Sequence, residues 1–191
     1  INGVFLELWK KKKSGYSCEE IKKIGDLLKY HDKHLSYPKL IALNPWKISK
    51  QPSKKIQKEY MLKKFGKEVD IKKFNKKYWI QNYRSSPKNM QFAKLFTAMA
   101  MVIPENGYIL YGDNNHDNPS NDHHHEFYDF YHTDLGKEIS IGMEIADGLG
   151  LKMYQKGLIA YNYTKYRYKI ILKNGKAITI EPVTGLFVEF E

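Results

Sequence analysis

The chain has 191 residues, one cysteine and a formal charge of +11, long enough to bury a sizeable core as one domain or as a large and a small one. Cys18 alone excludes an intrachain disulfide framework, and the longest apolar run, Leu95 to Ile103, is broken by Thr97 and stopped by Pro104, short of the roughly 18 to 20 residues a membrane span needs. Only Arg84 and Arg167 among the 32 basic residues are arginine; nucleic acid favours arginine's planar fork at fixed offsets, so it is not an expected partner.

In Ile1 to Trp9, the apolar Val4, Phe5, Leu6 and Leu8 predict a strand buried on both faces, the pattern of a parallel sheet, with Glu7 at its end. The chain opens inside this strand without an initiator methionine and is expected to lack its natural start. Ser17 and Glu20 then form a capping box, and Ile21, Ile24, Leu27 and Leu28 recur at helical spacing towards His31. Pro38 precedes a second short strand, Lys39 to Leu43, which runs into Asn44, Pro45 and Trp46. Strand, helix, strand is the grammar of a right-handed crossover.

Residues 50–77 are dense in lysine, with Ile56, Tyr60, Met61 and Phe65 as an apolar stripe, and read as a solvated helix face with its loop. Tyr78 to Tyr83 predicts a third strand, and Ser86-Pro87 opens a helix over Asn89 to Val102. That helix is apolar on most sides, so it should be well buried. Pro104, Asn106 and Gly107 turn the chain into a fourth strand, Tyr108 to Tyr111, ending at Gly112-Asp113.

From Gly136 the composition shifts to short apolar pieces punctuated by glycine: Leu158 to Tyr161, Tyr166 to Leu172, Ala177 to Ile180 and Leu186 to Phe190. Asn174-Gly175 between two of them is a strong hairpin signal. At about 30 residues per βα unit, the first part has room for about four units. The predicted class is therefore α/β: the carboxyl-terminal half of a (β/α)8 TIM-type barrel over 1–135, followed by a small antiparallel β module over 136–191.

The order of Gly3-Val4-Phe5-Leu6-Glu7, Ile41-Ala42-Leu43-Asn44-Pro45-Trp46, Tyr83-Arg84-Ser85-Ser86-Pro87, Asn106-Gly107-Tyr108-Ile109-Leu110-Tyr111, Asp134-Leu135-Gly136 and the Asn174-Gly175 hairpin resembles the carboxyl-terminal half of the glycoside-hydrolase barrels known as glycosyl-hydrolase-like family fifteen. The likeness covers most of the chain, with Glu181-Pro182 where such proteins commonly have Asn-Pro. It implies a carbohydrate substrate, hydrolysis of O-glycosyl bonds, an extracellular or cell-surface setting and no cofactor. It also implies an absent first half-barrel, so the chain is expected to be an incomplete hydrolase that self-associates or needs that half.

Glycoside hydrolysis uses two carboxyl groups flanking the scissile bond, and Glu7 and Asp113 are the candidates at predicted strand ends. Glu7 could instead pair with a local lysine, and Asp113 could open an Asx turn. Trp9, Trp46, Trp79 and Tyr111 crowd the same ends, with Asn44 and Gln81 beside them. Flat rings stack on sugar faces while amides hold hydroxyls; core packing is the alternative for each ring. The stretch from His116 to Glu126 is rich in histidine and carboxylate, a set that suits a divalent ion, yet its spacing matches no metal motif and no metal ligand is assigned. It reads equally as a polar site loop, with His116 nearest the cleft, or as a solvated loop. The rivals to a hydrolase are a non-catalytic glycan-binding or cell-surface interaction module and a metal-dependent hydrolase built on this loop.

Overall fold

The computed structural model describes residues 1–8, 16–45, 58–59, 62–63, 66, 87–110, 112–113, 124–125, 127–172 and 175–190, with only the backbone described at 112–113 and 124–125. Three parallel strands, β1 (Gly3–Leu8), β2 (Leu40–Pro45) and β3 (Gly107–Ile109), lie in the order β1-β2-β3. Helix α1 (Cys18–His34) connects the first two, and α2 (Pro87–Val102) lies between β2 and β3 in the chain. Ser17 caps α1 by accepting from the Glu20 N–H while the Glu20 carboxylate accepts from the Ser17 N–H, a closed capping box. Its last turn carries His31, Lys33 and His34, the charge sign the carboxyl end of a helix favours.

The remaining strands are antiparallel. The short pair β4 (Gly112–Asp113) and β5 (His124–His125) is followed by a 3₁₀ turn over Asp129–His132. Then β6 (Met143–Ala146), β7 (Leu149–Tyr154), β8 (Gly157–Asn162) and β11 (Thr184–Glu189) make a four-stranded sheet in the order β11-β8-β7-β6, and β9 (Tyr168–Ile171) pairs with β10 (Ala177–Ile180). Gly175, with φ at +81°, sits in the turn between β9 and β10, a backbone region glycine enters without steric cost.

The four-stranded sheet has no wet face at its centre. Alternation along β7 and β8 sends Tyr154, Ile159, Tyr161 and Tyr163 into one apolar cluster with α1, α2 and the parallel sheet. Leu149, Leu151, Leu158 and Ala160 go into a second cluster with Ile178 and Ile180 of β10. Helix α2 is thus packed between the parallel sheet on one side and β8 and β11 on the other. This explains its composition: Phe92, Leu95, Phe96, Ala98, Met99 and Ala100 are all buried, which no helix with a free face would require.

The half-barrel expectation is overturned. Among the described residues there are two α-helices and several antiparallel sheets, a mixed fold with little helix. In a barrel the strand predicted over residues 78–83, which lie outside the described residues, would stand between the strands at 40–45 and 107–109. There is no room for it, because β2 pairs directly with β3, Ile41 opposite Gly107 and Leu43 opposite Ile109. Barrel helices also keep an outer face, whereas the outer face of α2 is covered by an antiparallel sheet. Sequence periodicity marks a helix as buried without saying what buries it.

Candidate functional site

Parallel strands bring their carboxyl ends to one edge. β1 and β2 run in register to Glu7 opposite Asn44 and Leu8 opposite Pro45, and Leu110, just past β3, donates its N–H to the Leu43 carbonyl at 2.9 Å. Because each helix returns antiparallel to the strand before it, the amino ends of α1 and α2 come to the same edge. The Tyr16 hydroxyl, one residue before the cap of α1, donates to the Leu8 carbonyl at 3.4 Å, and its ring meets Phe96 edge-on with centroids 5.1 Å apart. In the first turn of α2, Asn89 donates from Nδ2 to the Tyr128 hydroxyl at 2.9 Å, and both residues are buried.

On β1, Val4, Leu6 and Leu8 turn towards the helices and join the core, so Gly3, Phe5 and Glu7 occupy the opposite face by the two-residue period of a strand. Glu7 is exposed. It makes no ion pair or hydrogen bond among the described residues, so no lysine there neutralises it. Asn44, its register partner, lies on the same face but is only 2% exposed. The edge therefore presents at Glu7 a carboxylate without a partner among the described residues, able to accept from a hydroxyl-bearing ligand, beside a buried amide that is already partnered.

Asp113 follows β3 by four positions, and its backbone pairs in register with His124. The backbone of His124 and His125 therefore lies beside that of Gly112 and Asp113. Trp9, Trp46, Trp79, Gln81, Tyr111 and His116 lie outside the described residues. No group of three or more His, Cys, Asp or Glu side chains that could hold a metal ion occurs among the described residues, and no described helix is long and apolar enough to cross a membrane.

Tyr16, Asn89 and Tyr128 were not candidates on sequence grounds. A signal for Asn89 existed: Ser86-Pro87 opens the helix, so the residue two places on must stand in its first turn, at the ligand end of a parallel sheet. Tyr128 sits in the aromatic run Phe127 to His132, where Phe127 is 75% exposed and touches the rings of Tyr131 and His132 at 5.5 and 5.4 Å. No protein-family model and no curated protein matches the chain.

Proposed function

We propose that the carboxyl-terminal edge of the parallel sheet binds a carbohydrate, and that the protein hydrolyses O-glycosidic bonds there with Glu7 as proton donor and Asp113 as the second carboxylate. The observation that carries this reading is the Glu7–Asn44 register pair: a carboxylate and an amide on one face, at the end of a parallel sheet where ligands of such sheets bind. A buried amide costs free energy unless its polar atoms are satisfied, and Asn44 is both buried and partnered, so it fixes the strand end from which Glu7 meets the sugar.

In this reading Glu7 protonates the leaving oxygen while Asp113 activates the attacking water, the division of labour of a two-carboxylate glycosidase.

The exposure of Glu7 favours one second reading, a glycan-binding module without turnover, in which the carboxylate only accepts hydrogen bonds from hydroxyls. Calorimetric titration of the chain with a panel of neutral and acidic oligosaccharides tests the shared claim. Binding weakened at least tenfold by Glu7→Ala in a folded variant supports it, and a panel with no binder contradicts it. Product anomers followed by proton NMR separate turnover from mere binding.

A further inference from the structure

At the far end of α2 from Asn89, about 20 Å away by the 1.5 Å rise per helical residue, a cavity of about 180 Å³ opens between α1, the end of α2 and β6. Val102, Ile103 and Met143 form its apolar wall, and Lys29, Glu144 and Tyr161 supply its polar groups. Gly142 fixes one side of it: a Cβ there would stand 1.6 Å from the Val102 carbonyl oxygen, so the chain passes against the end of the helix with no side chain between them.

The polar groups are not equally committed. The Glu144 carboxylate accepts from Lys29 Nζ at 2.5 Å through one oxygen and from the Gly148 N–H at 3.2 Å through the other. Tyr161 is 1% exposed, its ring stacks 5.9 Å from that of Tyr163, and its hydroxyl has no hydrogen-bond partner among the described residues. That hydroxyl is not sealed in the core, where the buried atoms without a partner are Thr97 Oγ1 and Tyr154 Oη, and Tyr161 is one of the residues that line the cavity. A phenol held at low exposure without a partner carries an unmet hydrogen bond, which a ligand can supply.

We propose that this cavity is a second ligand site, taking a small neutral alcohol whose hydroxyl bonds Tyr161 and whose apolar body fills the space against Val102, Ile103 and Met143. Size allows the class, since about 180 Å³ is room for one small ring, and the half-polar lining suits a ring that carries a hydroxyl. Charge supports it too. The Lys29–Glu144 pair is already matched, and Asp147 and Asp26 share Lys22 nearby, so an added anion would meet uncompensated carboxylates while a neutral hydroxyl disturbs nothing.

The test is a proton–nitrogen NMR titration of the chain with benzyl alcohol, with toluene and benzoate as probes lacking the hydroxyl or carrying a charge. Saturable shifts at Gly142, Met143 and Glu144 are expected, with a dissociation constant on the order of a few millimolar for so small a ligand. Toluene should bind at least threefold more weakly and benzoate not at all. Tyr161→Phe keeps the ring and removes only the hydroxyl; it should weaken benzyl alcohol about three- to tenfold, the range of one net hydrogen bond, and leave toluene unchanged. Absence of saturable shifts, equal binding of toluene and benzyl alcohol, or a Tyr161→Phe variant that binds benzyl alcohol as the parent does would each overturn the proposal.

Discussion

Gly185 of β11 lies so close to Lys94 of α2 that a Cβ there would stand 1.9 Å from the Lys94 carbonyl oxygen. This contact sets the distance between the antiparallel sheet and the helix it covers, and Gly142 against Val102 does the same at the helix end. Backbone oxygens cannot rotate away as a flexible side chain can. Gly185→Ala is therefore expected to destabilise the fold by about 1–3 kcal/mol, the range for overpacking a well-filled core, seen as a lower urea midpoint at unchanged slope.

Asn162 is fully buried at the end of β8 and uses both ends of its amide. Nδ2 donates to the carbonyls of Tyr166 and Glu181 at 2.7 and 2.9 Å, while Oδ1 accepts from the N–H and hydroxyl of Thr164 at 3.0 and 2.9 Å. It thereby ties the β8–β9 turn to the chain entering β11. Asn162→Ala leaves several of these groups unmet and should cost about 2–4 kcal/mol, with faster amide exchange in Thr164 to Tyr166 than elsewhere in the sheet.

Three tyrosines on the inner face of the same sheet predict how the fold fails in alkali. Burial, followed by the Glu138 charge, pushes the Tyr154 phenol from 10.0 up to about 12. Burial first and then the Glu144 charge raise Tyr161 and Tyr163 as well. A pKa raised on folding contributes stability that is fully present below the unfolded value near 10 and is lost as pH climbs through the folded values. Stability should thus be flat up to about pH 10 and fall above it. Absorbance at 295 nm should show part of the tyrosine titration delayed until the circular dichroism is lost; titration of every tyrosine while the fold persists would contradict this.

Local structure was readable from local chemistry. Ser17 and Glu20 announced the start of α1, the apolar runs after Gly3 and Pro38 announced two parallel strands, and Gly175 announced a tight turn between β9 and β10. Partners were not readable, because the residues that decide them act at long range. Gly142 and Gly185 look like ordinary strand punctuation until the backbone of α2 is seen beside them, and the all-round apolar composition of α2 says that the helix is covered on every side without saying by what. Among the candidate site residues, Glu7 stood out as a charge ending an apolar strand. Asn89 and Tyr128 did not, since their pairing spans 39 positions.

The central claim is that the edge carrying Glu7 and Asn44 is a carbohydrate site that cleaves glycosidic bonds. Glu7→Gln is nearly isosteric at an exposed position without partners among the described residues, so it should leave the thermal midpoint within about 1 °C while removing the proton donor. The decisive measurement is the release of reducing ends from a glycan panel by the parent chain and by Glu7→Gln, with circular dichroism on both. A glycosidic site at this edge predicts turnover by the parent and a loss of about 10²–10⁴-fold in the variant, the share general acid catalysis supplies. Equal turnover by the two folded proteins would contradict it.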